Sequence, residues 1–186
     1  LFLLITTLVA SQASAHKRLF ILLGQSNMSG RAPIEDADMA VCPMVKLLNA
    51  DGHFEVLRNP LNRFSNIRKD IAMQKLGPGY TFAETLSEQL QDTIFFVVNA
   101  RGGTALERFM KNDTAGYYEK TLFRIKQALR ERPDLKPATI IWHQGESNRD
   151  DYQSYLNHLN TLVADLRSDL GIPDLPFIAG EIVRWN

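Results

Sequence analysis

Short, continuous apolar runs alternate along the chain with longer segments in which apolar residues recur every three or four positions. The continuous runs are typical of strands buried on both faces, and the recurring pattern is typical of amphipathic helices. The predicted buried strands are residues 18–23, 94–98, 138–142 and 177–182. The predicted helices are residues 80–91, 116–131 and 150–170. Strands separated by helices indicate a mainly parallel sheet covered on both faces, and therefore a three-layer α/β/α sandwich.

One pair of short apolar segments breaks this alternation. Residues 45–48 and 54–57 flank the sequence Asn-Ala-Asp-Gly, whose Asp-Gly step is a strong signal for a β-hairpin. Residues 58–78 are polar and mixed and contain Pro60, and Gly-Pro-Gly follows at 77–79. We therefore predict a hairpin followed by a long loop.

Composition and charge narrow the function classes. The 186 residues are 45% hydrophobic and 23% charged, as expected for one globular domain. Lys plus Arg and Asp plus Glu both number 21, so the balance points to neither a nucleic acid nor a membrane surface as a partner. The single cysteine, Cys42, allows no disulfide within this segment, and it is either a free thiol or has a partner outside it.

The two ends predict export and truncation. Residues 1–15, LFLLITTLVASQASA, form an apolar run that ends in an A-x-A cleavage pattern, and we interpret them as a truncated secretory signal peptide. A buried N-terminal helix or a membrane anchor is the alternative, but the ten-residue apolar stretch is too short to span a bilayer. The mature domain, residues 16–186, is then secreted or periplasmic. Because the chain ends directly on an apolar strand pattern, we expect the domain to be incomplete at its C-terminus.

Polar, glycine-containing segments follow three of the predicted strands. They are Gly-Gln-Ser-Asn-Met at 24–28, Asn-Ala-Arg-Gly-Gly-Thr at 99–104, and His-Gln-Gly-Glu-Ser-Asn at 143–148. In a parallel sheet the carboxyl ends of the strands share one edge, which is where ligands bind. We therefore expect these three segments to converge on one site.

Ser26 has two readings from sequence alone. Its hydroxyl either caps a short helix or acts as a nucleophile activated by a neighbouring base. The α/β-hydrolase pattern G-x-S-x-G is not matched, because Met28 occupies its last position.

The other two segments also allow a structural and a catalytic reading. Gly102-Gly103 is either a plain turn or a stretch whose backbone N–H groups face an oxyanion. Gln144 is either a turn residue or a side-chain donor to the same oxyanion. His143 and Glu146 are either a buried structural pair or part of the site.

GQSNMSGRA, NARGGTAL and IIWHQGESN, in this order and spacing, resemble the N-terminal blocks of the sialate O-acetylesterase-like group, carbohydrate esterase family 6. This group belongs to the wider SGNH (GDSL-like) hydrolases, and the resemblance runs from about residue 17 to the end. It implies a flavodoxin-like sheet order. It also implies an esterase that removes O-acetyl groups from carbohydrates, either acetylated xylan or acetylated sialic acid, with an acetylated glycan as its partner.

Carried onto this chain, the resemblance implies that Ser26 is the catalytic nucleophile. The oxyanion hole would be formed by the backbone N–H groups of Ser26 and Gly103 and by the side chain of Gln144. The remaining motif residues would support the site: Gln25, Asn27, Gly102, His143 and Glu146. The implied mechanism needs no metal and no cofactor, and the chain has no H-x-x-x-H or C-x-x-C spacing.

One part of the family pattern is missing. SGNH enzymes take their base from a C-terminal Asp-x-x-His pair, but none of the four histidines, His16, His53, His143 and His158, has an aspartate three positions before it. We therefore expect the base to lie beyond Asn186. A base must be able to reach the nucleophile, and His143, which lies in one of the three convergent segments, is the alternative.

Two other functions remain open from the sequence. A catalytically inactive homologue could use the same strand ends to bind a carbohydrate, although binding would not require a serine nucleophile. A flavodoxin-like phosphate binder could use Gly102-Gly103-Thr104 at a helix N-terminus. The second alternative leaves Ser26 and Gln144 without a role. The oligomeric state is not predicted.

Overall fold

The computed structural model describes residues 16–182, so the predicted signal peptide and the last four residues lie outside the described part of the chain. The strands are β1 (Lys17–Gly24), β2 (Cys42–Leu48), β3 (Phe54–Leu57), β4 (Ile94–Ala100), β5 (Leu135–His143) and β6 (Phe177–Ala179). The helices are α1 (Ser26–Ser29), α2 (Gly79–Leu90), α3 (Tyr117–Glu131) and α4 (Tyr152–Leu170). None of the helices within residues 16–182 has the length and apolar character that crossing a membrane requires.

The six strands form one sheet in the order β3-β2-β4-β1-β5-β6. All neighbouring strands are parallel except β2 and β3, which form the predicted antiparallel hairpin at one edge. Without the hairpin, the remaining four strands follow the order 2-1-3-4, as in a flavodoxin-like sheet. The α/β/α fold class predicted from the sequence is therefore confirmed. The strand order reverses at β1, because β4 lies on one side of it and β5 on the other, so a ligand crevice is expected at its carboxyl end.

Alternate residues of β1 serve two separate cores, because successive side chains of a strand point to opposite faces. Leu19, Ile21 and Leu23 pack with residues of α3 and α4 on one face. Phe20 and Leu22 pack with residues of α2 on the other face. The sheet is therefore covered on both sides.

The long loop and the last strand are among the segments that differ from the sequence prediction. The predicted loop at 58–78 contains two 3₁₀ turns, Leu61–Phe64 and Ile71–Met73. The last strand ends at Ala179 rather than at residue 182, and Ile178 within it is 53% exposed. An apolar run predicts burial only where another element covers it, and among the described residues β6 is paired on one side only.

Trp142, near the end of β5, anchors the core beneath the site. Its side chain is fully buried, its ring lies 5.2 Å from that of Phe109, and its indole N–H donates to the Tyr155 hydroxyl at 3.1 Å. Trp142→Ala is expected to lower the free energy of unfolding by about 3–5 kcal/mol, because it leaves a large cavity. Urea denaturation measures this change. The matched control is Tyr152→Ala, which truncates an aromatic ring that is 71% exposed; equal losses in the two variants would contradict this account of the core.

Candidate active site

The end of β1 brings Ser26 to the sheet edge through a tight backbone path. Gly24 has φ of 145°, and a Cβ there would overlap the carbonyl oxygen of His143 on the neighbouring strand β5. Only glycine combines this dihedral with such a close approach. The Gln25 N–H donates to the same His143 oxygen at 3.0 Å, and the Arg101 N–H donates to the Gly24 oxygen at 3.0 Å. The three predicted segments are therefore tied together by backbone hydrogen bonds.

Ser26 is the first residue of α1, and the helix N-cap is Gln25, which makes no capping hydrogen bond through its side chain. The reading of Ser26 as a helix cap is therefore wrong. Its side chain is partly exposed, and the Gln25 amide lies 3.5 Å from its Oγ. The hydroxyl is left available for chemistry at the carboxyl end of the central strand.

Gly102, on the segment after β4, lies beside Ser26. A Cβ on Gly102 would be 3.6 Å from the Cβ of Ser26 and would overlap the guanidinium of Arg31. Gly103 has φ of 61°, is exposed, and faces the ammonium of Lys69 instead. The contact between the second segment and Ser26 is thus made by Gly102, while the oxyanion role of Gly103 stays a prediction.

Arg31 closes the site on the side of α1, a role that the sequence analysis missed. Its guanidinium donates to the Ser29 hydroxyl at 2.9 Å and to the carbonyl oxygen of Met73 at 2.9 Å. Burial lowers the pKa of Arg31 from its usual value. Arg31 therefore joins α1 to the long loop and brings a positive charge next to Gly102.

Gln144 lies directly after β5 and is 3% exposed. Its side-chain Nε2 donates to the carbonyl oxygen of Thr104 at 3.2 Å and to Oδ1 of Asn148 at 2.7 Å. Its Oε1 is buried and has no hydrogen-bond partner among the described residues. The Gln144 amide therefore bridges the segments that follow β4 and β5. Its donation to an oxyanion stays a prediction.

Asn148 and Glu107 extend this contact away from the strand ends. Asn148 Oδ1 also accepts the backbone N–H of Leu106 at 2.9 Å, and its Nδ2 donates to both carboxylate oxygens of Glu107, at 3.0 and 2.9 Å. No role for either residue was predicted from the sequence. Asn148 stands at the end of the IIWHQGESN motif, and this position could have identified it as a site residue. No sequence pattern identifies Glu107.

The remaining support residues connect the first and third segments. The Asn27 side-chain amide donates to Glu146 Oε1. The Glu146 carboxylate therefore ties the segment after β5 to α1. His143 points elsewhere: a Cβ on Gly180, after β6, would overlap its ring, and its Nδ1 is buried without a described partner. The imidazole therefore packs against the β6 side of β5, whereas Ser26 follows β1 on the other side.

The other described histidines with an ionic partner also contact groups other than Ser26. His53 Nδ1 lies 3.0 Å from Glu131 in the hairpin region, and His158 Nδ1 lies 3.5 Å from Glu107. The prediction of a base beyond Asn186 concerns residues outside the described part of the chain. The phosphate-binding alternative loses support, because Thr104 precedes a short 3₁₀ turn and the next α-helix begins only at Tyr117.

The long loop is fixed to the end of β4 by buried hydrogen bonds. Asn62 exchanges two of them with the backbone of Ala100, at 3.0 and 2.9 Å, and its Nδ2 also donates to Gln74 at 2.7 Å. Ser65 donates to the Ala100 oxygen at 3.3 Å. The loop therefore forms a fixed wall next to Arg101 and Gly102.

Two cavities adjoin the convergent segments. The larger, of 680 Å³, is a mostly apolar groove between α4 and the residues at the end of β6, and Gln144 is one of its lining residues. The smaller, of 460 Å³, is a cleft beside Gly103 and Thr104. Three cationic side chains line this cleft: Lys69, Arg101 and Arg108. The site thus has an apolar side and a positively charged side.

Comparison with known proteins points to one family. A family model described as carbohydrate esterase, sialic acid-specific acetylesterase, matches residues 16–186. The probable carbohydrate esterase At4g34215 of Arabidopsis thaliana is 30% identical over 181 residues, covering 87% of this chain and 67% of the relative.

Three solved structures share the fold. The X-ray structure of the Arabidopsis thaliana protein has a TM-score of 0.78 at 28% identity and covers 88% of this chain and 73% of its own. NanS has a TM-score of 0.70 at 23% identity, covering 90% and 68%. XAC1771, a carbohydrate acetylesterase from Xanthomonas citri, has a TM-score of 0.58 at 22% identity, covering 87% and 40%. At their identities the last two support the fold alone.

Proposed function

Because the chain belongs to the family of sialic acid-specific carbohydrate acetylesterases, we propose that it is a serine esterase that removes O-acetyl groups from carbohydrates. The observation that carries this proposal is the position of Ser26. Ser26 lies two residues past the end of the central strand, and a Cβ on Gly102 would be 3.6 Å from its own Cβ. The Gln144 amide bridges the segments after β4 and β5. A hydroxyl that follows the topological switch point of a parallel sheet is well placed to meet a bound ester.

The proposed reaction has two steps. Ser26 Oγ forms a bond to the acetyl carbon while its proton passes to a histidine base, and the bond from that carbon to the sugar oxygen then breaks. The base returns the proton to the sugar oxygen, which leaves as a hydroxyl. Water then attacks the acetyl-serine with help from the same base, releasing acetate and restoring Ser26. The base is predicted to lie beyond Asn186, because the His143 imidazole packs against the β6 side of β5 and not beside Ser26.

Developing negative charge on the acetyl oxygen needs donors that are already in place. We assign this role to the backbone N–H groups of Ser26 and Gly103 and to the side chain of Gln144. The N–H of Ser26 belongs to the first turn of α1, where N–H groups have no partner within the helix. The remaining motif residues support the segments that carry these donors: Gln25, Asn27, Gly102, His143 and Glu146.

The positively charged cleft supports an acidic sugar over a neutral one as the substrate. Lys69 is exposed, and the Arg108 side chain is 56% exposed and has one carboxylate neighbour, Asp113, at 3.4 Å. Arg101 stacks on Tyr117 at 5.1 Å. We propose that a carboxylate of an O-acetylated sialic acid binds here, beside the oxyanion residues. Acetylated xylan, which the sequence left open, offers no such charge on its acetylated sugar.

Cleavage of the two substrates tests this choice. Replacing both Lys69 and Arg108 by glutamine is expected to lower kcat/KM for O-acetylated sialic acid about tenfold, because each exposed charged contact contributes about 0.5–1 kcal/mol. The value for acetylated xylo-oligosaccharides is expected to stay within about twofold. Lys136→Gln, on the exposed side of β5, is the matched control. An equal loss on both substrates, or none on either, would contradict the assignment of the cleft.

An inactive carbohydrate-binding homologue is the alternative to an esterase. Acetate release from O-acetylated sialic acid by the full natural chain separates the two functions directly. Release supports the esterase. Binding of the same sugar without release, unchanged by Ser26→Ala, would favour the binding protein. We also propose that the protein acts outside the cytoplasm, as the apolar N-terminal segment predicts.

A further inference from the structure

The orientation of the Gln144 side chain decides whether it can serve as a donor. A glutamine amide has a carbonyl oxygen on one side and an NH₂ group of similar shape on the other. Only the NH₂ side can stabilise an oxyanion. A residue that fixes the orientation of the Gln144 amide therefore controls its ability to stabilise an oxyanion, even though that residue does not touch the substrate.

Asn148 itself can adopt only one orientation. Its Oδ1 receives the backbone N–H of Leu106 at 2.9 Å, and its Nδ2 faces the Glu107 carboxylate at 2.9 and 3.0 Å. The reversed amide would put NH₂ against the Leu106 N–H and an oxygen against the carboxylate, so every contact would be repulsive. The Leu106 N–H and the Glu107 carboxylate together therefore fix the orientation of the Asn148 amide.

The orientation of Gln144 follows from that of Asn148. Because Oδ1 of Asn148 is an acceptor, the Gln144 atom that lies 2.7 Å from it has to be the donor Nε2. In a reversed Gln144, its carbonyl oxygen would lie at that distance from the Asn148 oxygen. The same Gln144 oxygen would also face the carbonyl oxygen of Thr104. Asn148 and the Thr104 carbonyl oxygen therefore select the same orientation of Gln144, and Asn148 takes its own orientation from Glu107 and the Leu106 N–H.

Glu107 is suited to be the origin of this chain because it stays ionised. Burial alone would raise the pKa of its carboxyl, but the hydrogen bonds from Asn148 and the nearby His158 outweigh burial, and the pKa is lowered overall. An ionised carboxylate accepts hydrogen bonds and donates none. It therefore presents only acceptors to Asn148 at neutral pH.

We infer that Asn148 and Glu107 are positioning residues that hold the NH₂ group of Gln144 ready for the oxyanion of the acetyl-transfer reaction, an inference that rests on the proposed function. One Nε2 hydrogen stays on Asn148 at 2.7 Å. The other makes the longer bond to Thr104, at 3.2 Å, and is the N–H that hydrogen-bonds to the acetyl oxygen as charge develops. The Gln144 backbone is held separately, because the Tyr155 hydroxyl donates to its carbonyl oxygen at 2.8 Å.

An exchange of the amide and the carboxylate tests the pair kinetically. Asn148→Asp puts two carboxylates against each other and is expected to lower kcat at neutral pH about 10–100-fold, less than the loss of a whole oxyanion donor, with KM within about threefold. Adding Glu107→Gln restores one amide facing one carboxylate and still offers Gln144 an acceptor. The double variant is expected to recover to within about threefold of the wild-type kcat. No recovery, or a loss confined to KM, would overturn the inference.

A second measurement does not depend on catalysis. In amide NMR spectra of the full natural protein, the Gln144 side-chain signal is identified by its loss in Gln144→Glu. Its hydrogens are expected to exchange with solvent at least about tenfold faster in Asn148→Leu than in the wild type, because a buried hydrogen bond protects them. The matched control is Asn160→Leu, an exposed asparagine on α4. Unchanged exchange in Asn148→Leu would overturn the inference, and this holds even if the wild type releases no acetate, which would refute the proposed function alone.

Discussion

Replacing Ser26 by alanine is expected to abolish acetate release from O-acetylated carbohydrates. Without Oγ no acetyl-serine forms, and losing the nucleophile of such an enzyme lowers kcat by about 10⁴-fold or more. The fold is expected to survive, because the Ser26 side chain is partly exposed and makes no capping contact. Acetate release by the full natural chain, compared with circular dichroism of both proteins, measures the effect.

A matched serine sharpens this experiment. Ser168, on the exposed side of α4, can be replaced by alanine without touching the convergent segments. Ser168→Ala is expected to keep kcat within about twofold of the wild type, as surface substitutions usually do. Equal activity of Ser26→Ala and Ser168→Ala would show that another group attacks the ester.

Gln144→Leu is expected to lower kcat about 10²–10³-fold while KM changes little, because it removes one oxyanion donor and leaves the nucleophile. Leucine fills a similar volume but cannot donate to the acetyl oxygen. Steady-state kinetics on an O-acetylated sugar measure kcat and KM separately. A change in KM alone would mean that Gln144 binds the ground state of the substrate instead.

Folding has to be controlled in this variant, since Gln144 is buried and bridges Thr104 and Asn148. The unfolding transition of Gln144→Leu is therefore compared with that of the wild type before the kinetics are interpreted. Gln153→Leu, in the exposed first turn of α4, is the matched control and is expected to leave kcat unchanged. Wild-type kcat in a folded Gln144→Leu protein would remove Gln144 from the oxyanion hole.

The parts of the site that were predictable from sequence are those that depend on local pattern. Six of the seven residues of Leu19–Gln25 are apolar or glycine, and this run sets β1, so that Ser26 falls just past its end. The glycine at position 24 is needed because a Cβ would overlap the next strand. Strand order then brings the segments after β4 and β5 to either side of Ser26, which a parallel sheet requires.

The parts that were not predictable depend on contacts between distant residues. Asn148 acquires its orientation from Glu107, 41 positions earlier, and no local pattern links them. The shape of the loop at 58–78 depends on Asn62, whose buried amide pairs with Ala100 at the end of β4. A polar side chain in a loop could form hydrogen bonds with many different partners, and the partner it has is determined only by the folded structure.

The central claim is that Ser26 carries the acetyl group during the reaction. Acid quenching during turnover of an O-acetylated sugar, followed by peptide mass spectrometry, measures it most directly. The account predicts one added acetyl group on the peptide that contains Ser26, absent from the same peptide of Ser26→Ala. Turnover with no acetylated peptide, or an acetyl group on another residue, would contradict the claim.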